Sequence, residues 1–388
     1  MDDHDSKVAR ISSFLKNRKS KKPVSIYKKS VSHQVPKPGD AKKNTDKIDV
    51  SGLNNILNID PDSKTCICEP GATFYDVAKK TLEYGLVPKL VPELKTITVG
   101  GAVSGCSVES MSYKYGGFHD SCIEYEIITA KGKVMKCNRD ENKLLFEMVH
   151  GSFGTIGILT KIKFELIPAK KFVRMNYAAF DTLESYKKGI ASCIKKKYDF
   201  IDGIIHSRKK YVLCLGTFTD SVPYTSRYDW MNVFHKSTAE KKEDYMETLD
   251  YFFRYDADCH WVARNYGLES PLLRFLFGKL FLGSTNMLKL AKKITPITPG
   301  KPDVVVDVFI PFSNLGRFFE FYFQRFDHFP VWIVPYKIHK YPWLSEELQK
   351  TEEEYYIDIA IYGIRQRGDA NYYRLLEEEV IKLSGTQT

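Results

Sequence analysis

Apolar residues at Val8, Ile11, Phe14 and Leu15 recur every three or four positions and predict a helix over residues 5–19. The pattern then shifts to a strand at 23–27, and a polar loop rich in Lys, Pro and Gly fills 28–47. Short strands follow at 48–59 and 64–68, and Glu69-Pro-Gly71 ends the second. Phe74, Val77, Ala78 and Leu82 mark an amphipathic helix over 73–84, with Thr73 as N-cap and Gly85 at the C-cap position. Alternating stretches at 122–129 and 133–137, joined by Ala130-Lys-Gly132, read as a hairpin. A short helix and glycine loop cover 146–156, and a strand at 158–167 ends at Pro168.

Beyond Pro168 the texture changes to many aromatic residues and few glycines. Strands are predicted at 172–177, 211–218, 303–310, 331–337 and 355–362, and helices at 183–198, 315–325 and 370–383. Strands alternating with helices predict an α/β layer domain, so two domains are expected, 1–170 and 171–388. No internal repeat is visible.

The run Thr98, Val99, Gly100, Gly101, Ala102, Val103, Ser104, Gly105, Cys106, Ser107, Val108, Glu109 and Ser110 breaks both periodicities. Three glycines and no long side chain before Glu109 predict neither a regular helix nor a strand. Such a backbone, flanked by hydroxyls, forms a concave surface of bare N–H donors suited to phosphate oxygens. A Gly-rich surface turn is the plainer reading of the same residues.

Length, at 388 residues, and 43% hydrophobic content allow sizeable cores. The net charge of +10 comes from lysine runs such as 195–197 and suits a solvated face or an anionic surface. No nucleic-acid motif is present, so nucleic acid is not an expected partner. The eight cysteines make neither zinc nor C-x-x-C redox spacings. Cys66 and Cys68 alternate onto one strand face and read as buried free thiols, which fits a reducing compartment. The acidic, polar N-terminus is not a signal peptide, and the apolar stretch near 271–290 is interrupted by Arg274, Lys279 and Lys289. A cytoplasmic protein, peripheral to a membrane at most, is the expectation.

The order of segments carries a resemblance. Lys29-Ser-Val-Ser-His33 is followed by Glu69-Pro-Gly71, Leu90-Val-Pro-Glu-Leu94, the glycine run, Tyr113-Lys-Tyr-Gly116 and Gly151-Ser-Phe-Gly-Thr-Ile-Gly157. This resembles the FAD-binding domain of the vanillyl-alcohol-oxidase (PCMH) type. Ile167-Pro-Ala-Lys-Lys-Phe172, Arg274-Phe-Leu-Phe-Gly278, Pro330-Val-Trp-Ile-Val-Pro335 and Tyr356-Ile-Asp-Ile-Ala-Ile-Tyr-Gly363 extend it to the Δ24-sterol reductase family. The resemblance implies an α+β fold, a two-subdomain FAD-binding domain followed by a substrate cap. It places FAD against Lys29, Ser30, Val31, Ser32 and His33, against Thr98–Ser110, and against Gly154, Thr155, Ile156 and Gly157. Some relatives join FAD to a histidine at the place of His33. Here Lys28, Lys29 and Ser30 replace the usual glycines, and non-covalent FAD is implied. A strand–GxGxxG–helix unit is absent, which excludes a Rossmann site.

The implied reaction is reduction of a C=C bond in a sterol-like apolar molecule, with NADPH as electron source. It needs a proton donor, and Tyr255, His260, Tyr356 and Asp358 are the candidates, with Asp256 and Tyr362 nearby. Each also has a plainer role in core packing. Lys114 is expected either near the flavin or in solvent. Two other readings stand: oxidation of a hydroxyl substrate such as a 2-hydroxy acid or alditol, and an FAD-binding but inactive chain. The second arises because family members continue past the helix at 370–383, which implies a C-terminal truncation here.

Overall fold

The computed structural model describes residues 3–28, 44–196, 198–261, 269–287, 289, 304–340 and 350–387, without the side chains of 259 and 260. Two compact units divide the chain. The first comprises Met1–Ser107, Phe118–Ala169 and Thr285–Thr298. The second comprises Val108–Gly117, Lys170–Ser284 and Pro299–Thr388.

In the first unit, the helix His4–Asn17 starts where the Asp3 carboxylate accepts from Ser6 N. Its Val8 and Ile11 pack with Ile48, Leu53 and Ile128. β1 (Val24–Tyr27) pairs in parallel with β2 (Asp46–Asp49). β3 (Ile56–Asp60), β4 (Thr65–Cys68), β5 (Leu86–Pro88), β6 (Cys122–Ile128), β7 (Val134–Asn138) and β8 (Ile158–Pro168) form an antiparallel sheet ordered β3-β4-β8-β6-β7, with β5 also on β8. Thr73 caps the helix Phe74–Leu82 by accepting from Asp76 N, and Gly132 turns the β6–β7 hairpin at φ +74°. Glu69 ties the first helix to the end of β4: it accepts from Lys7 Nζ and Asn55 N and bonds His4. Although burial works against the charge, His4, the Asn55 amide and Lys7 hold this carboxyl below its usual range. Cys66 and Cys68 are buried and free, and desolvation raises the Cys66 thiol to about 12.

The glycine run departs from expectation. Val99–Ser104 is a helix, capped by Thr98, whose side chain accepts from Gly101 N. Val99, Ala102 and Val103, spaced i, i+3 and i+4, are fully buried. Burial of that stripe and the cap outweigh the glycines' poor helix propensity, which costs about 1 kcal/mol per residue.

The second unit is built on one antiparallel sheet. β9 (Phe172–Phe180), β10 (Phe200–Ser207), β11 (Lys210–Thr219), β12 (Glu243–Glu247), β13 (Val304–Pro311), β14 (Val331–Lys337), β15 (Tyr355–Ile364) and β16 (Thr386–Gln387) order as β12-β9-β11-β10-β14-β15-β13-β16. The expected α/β layering is corrected to α+β. Helix Leu183–Ile194 does join two parallel strands, β9 and β10, but β11 inserts between them. Helix Leu315–Arg325 joins β13 and β14 the same way around β15. Two β-α-β-β modules therefore meet along β10 and β14, a repeat that leaves no trace in the residues because it is one of topology. Helices Leu183–Ile194, Leu315–Arg325 and Tyr372–Lys382 cover one face, where Tyr186, Ile190, Phe318, Phe319, Tyr322 and Leu376 pack on Ile201, Leu213, Val308, Ile333 and Ile359. By strand alternation, Asp202, Trp332, Asp358 and Tyr362 point to the opposite face.

Candidate functional site

In the first unit the structure brings two of the three expected cofactor segments together. Gly151 N donates to Val103 O at 3.3 Å and Phe153 N to Ser104 O at 3.0 Å, so the 151–157 loop lies against the end of the Val99–Ser104 helix. The third segment, Lys29, Ser30, Val31, Ser32 and His33, lies outside the described residues. The expectation of bare amides is corrected. Val99 N donates to Ala72 O, Gly100 N to Pro70 O and Gly101 N to Thr98 Oγ1. The glycines also divide in role. A Cβ on Gly100 would lie 2.5 Å from Pro70 Cβ and one on Gly157 2.8 Å from Ile128 O, so packing requires both. Gly101 is exposed, and a Cβ there would meet just Thr98 Oγ1, at 3.1 Å. Gly101, Ser104 and Gly105 thus leave an outer wall bare of long side chains, beside exposed Phe153, Gly154 and Thr155. A flat wall of this kind, open where a Cβ would stand, fits an extended dinucleotide laid along the main chain. Burial raises the Cys106 thiol to about 12, so it is a packing group rather than a nucleophile.

His150 supports this loop from inside. Its Nε2 lies 3.0 Å from Tyr125 OH, and its ring packs on Phe146 and His119. Burial, then His119 and Arg139, lowers its pKa to about 2, so the folded chain holds it neutral. The unfolded chain takes up a proton below about 6.5, so the stabilisation is whole above that pH and declines as pH falls toward the folded value. Stability of the first unit is expected to drop by about 2 kcal/mol from pH 6.5 to 5, at 1.4 kcal/mol per pH unit. Urea midpoints by circular dichroism should show this, with a flatter profile for His150→Gln; an equally steep variant would assign the dependence elsewhere.

Val108, Glu109 and Ser110, the end of the glycine run, belong to the second unit. There Ser110 O accepts from Ile201 N at the start of β10. Glu109 Oε1 accepts from Arg254 Nη2 at 2.9 Å, and the same nitrogen donates to Asp202 Oδ2 at 3.1 Å. Tyr255 OH and Trp332 Nε1 donate to that oxygen at 3.0 and 2.9 Å. The guanidinium also lies 4.2 Å from the Tyr251 ring centroid and 4.7 Å from that of Tyr255. Ser110 bonds Glu109 Oε2, and its hydroxyl is 3.1 Å from Tyr251 OH. All of these groups are buried.

Two carboxylates thus share one cation away from water. Burial first, then Asp202, pushes the Glu109 carboxyl up, with Arg254 and Ser110 opposing. Burial also works against the Arg254 charge, but Glu109, Tyr251 and Asp202 around it keep it on. Tyr255 is held as a neutral phenol by desolvation and the Asp202 charge. Burial that pushes the Glu109 carboxyl up eases its uptake of a proton, and the set presents fixed O–H and N–H donors, which is acid–base capacity.

Of the other expected residues, Asp358 is buried and sits in one row with Val334 and Phe309 across β14, β15 and β13. Tyr356 lies on the same face, with its hydroxyl donating to Ser384 O at 3.2 Å. His260 has its backbone in the turn Asp256–Trp261, but its side chain is outside the described set. Asp256 accepts from Ser284 Oγ. Lys114 is half-buried, 3.5 Å from Asp199. Tyr362 OH donates to Asp307 Oδ1 at 2.8 Å, and burial, opposed by that bond, raises Asp307 to about 6. Sequence reasoning missed Asp202, Arg254, Trp332 and Asp307. A lone charge inside an apolar strand (Phe-Ile-Asp-Gly-Ile-Ile) or an aromatic run (Tyr-Phe-Phe-Arg-Tyr) was the available signal.

Among known proteins, residues 18–138 match the family model described as an FAD binding domain. That match gives residues 18–138 the sequence pattern of an FAD binding domain. Over most of its length it is similar to Delta(24)-sterol reductases. It is 28% identical over 363 residues to that of Macaca fascicularis, covering 89% of this chain and 70% of the relative. It is 26% identical over 387 residues to the Delta(24)-sterol reductase homolog of Caenorhabditis elegans, with 89% and 71% covered. Cytokinin dehydrogenase 5 of Arabidopsis thaliana is 32% identical over 139 residues, 35% of this chain and 26% of that protein.

Proposed function

We propose that the chain reduces a C=C bond in a flat, apolar, sterol-like molecule, with non-covalent FAD as redox group and NADPH as electron source. The reach of the similarity carries this reading. Sterol reductases align over 89% of the chain, and so across both units, whereas cytokinin dehydrogenase 5 aligns over 35%. Agreement in the second unit bears on substrate chemistry in a way that a shared cofactor domain does not.

Gly101, Ser104 and Gly105 with Phe153, Gly154 and Thr155 would hold the FAD. Bound there, it supplies two-electron hydride chemistry. The chain's own residues supply the rest. Glu109, whose carboxyl burial pushes up, would take and return the proton, and Tyr255 is the fixed hydroxyl beside Asp202. Arg254 and Trp332 position Asp202 and Glu109 rather than titrate. Phe309, Tyr336, Asp307 and Tyr362 line the same sheet face and suit a rigid hydrocarbon with one polar end.

Anaerobic titration of the FAD-loaded protein tests the direction of chemistry. NADPH is expected to bleach the flavin band, while D-lactate and alditols leave it unchanged. Bleaching by a hydroxyl donor and not by NADPH would replace this reading with hydroxyl oxidation.

A further inference from the structure

The segment Pro271–Leu273, Arg274–Gly278 and Lys279–Phe281 is one continuous helix, and its polarity runs the wrong way for water. Its buried positions are Arg274, Gly278 and Leu282, four residues apart. Arg274 donates to Trp230 O at 2.9 Å and to Asp258 Oδ1 at 2.8 Å. A Cβ on Gly278 would stand 2.9 Å from Trp230 O, so the helix is held close by backbone contact and a buried ion pair. The outward positions are apolar: Leu272, Phe275, Leu276, Phe277, Leu280 and Phe281 are each between 41% and 70% exposed. A surface helix in water normally turns its apolar stripe inward. Inversion on this scale marks a surface that meets something apolar.

Charge says what that is. With Arg274 neutralised by Asp258, the sequence from Ser270 to Pro302 still has Lys279, Lys289, Lys292, Lys293 and Lys301 and neither Asp nor Glu. A second copy would bring the same cations face to face. An anionic lipid surface complements both properties, taking the apolar side chains into its acyl boundary and the exposed Lys279 at its headgroups. Among the described residues no helix is long and apolar enough to cross a membrane, so the element would lie in the interface. We propose that the Pro271–Phe281 helix docks the protein on an anionic bilayer through Leu272, Phe275, Leu276 and Leu280. The proposal is independent of the redox reading.

Vesicle flotation of the full FAD-loaded chain tests it, with phosphatidylcholine vesicles and with vesicles containing roughly one-third phosphatidylserine. The native protein should float with the anionic vesicles and much less with the neutral ones. Combined Leu272→Ser, Phe275→Ser and Leu280→Ser should weaken partitioning by at least about tenfold, since burial is worth ~0.8 kcal/mol per CH₂. Flavin absorbance should stay unchanged, because these side chains make no core. Failure of the native protein to float with anionic vesicles overturns the proposal. So does undiminished flotation of the variant, or loss of self-association in place of loss of vesicle binding.

Discussion

Arg254→Met is expected to lower the stability of the second unit by about 3–5 kcal/mol, the cost of breaking a buried ion pair from one side. Among the described residues the guanidinium is the one cation bonded to both Glu109 and Asp202. Methionine matches its length and bulk, so the loss reports charge rather than a cavity. Without it, two carboxyls remain buried among Tyr251, Tyr255 and Trp332 with no countercharge. The chain's four tryptophans all lie beyond residue 170, so their emission follows this unit in denaturant. Adding Glu109→Gln and Asp202→Asn should recover most of the loss, because a neutral buried set no longer needs the cation. A loss below about 1 kcal/mol for Arg254→Met would mean that the carboxyls are solvated and the set is not a buried ion cluster.

Gly101→Leu is expected to weaken FAD binding about 10- to 100-fold, the equivalent of about 1–3 kcal/mol of overpacking. The added side chain would stand on the exposed wall, where within the protein a Cβ meets just Thr98 Oγ1. Folding should be nearly unaffected, since leucine is the better helix former. Gly100→Leu is the contrast. Its Cβ would press on Pro70 Cβ and, at 3.0 Å, on Pro70 O, so it should destabilise the first unit with or without FAD. Flavin fluorescence titration measures the affinity and thermal melts of the cofactor-free chain measure the folding. Unchanged affinity for Gly101→Leu would move FAD off this wall.

Much of this was legible in the residues. Strand alternation, the Thr73 cap and the Gly132 turn are local devices, and local chemistry decides them. The Val99–Ser104 helix was hidden because its glycines speak against a helix while its stabilising burial is tertiary. The antiparallel pairing of the second unit was hidden because inserting β11 between β9 and β10 leaves no mark on either strand. The Glu109–Arg254–Asp202 set joins positions 145 and 52 residues apart, so spacing could not have revealed it. Glu109 stood out through a segment that resembles a family, and Tyr255 through its ionisable side chain alone. Asp202 and Arg254 could have been found as solitary charges in apolar surroundings. The exposed apolar helix at 271–281 was visible as an apolar stretch broken by cations, but which side faced outward needed the fold.

The proposed reduction of a sterol-like double bond by a flavin held in the first unit is open to a single-turnover reoxidation experiment. The FAD-loaded protein is reduced anaerobically and freed of donor, then mixed with a sterol carrying a side-chain double bond or with its saturated counterpart. The flavin absorbance is expected to return with the olefin, giving one saturated product per flavin, and not with the saturated sterol. A flavin that stays reduced with sterol olefins, yet is reduced by a hydroxyl substrate in its oxidised state, would contradict the proposed reduction.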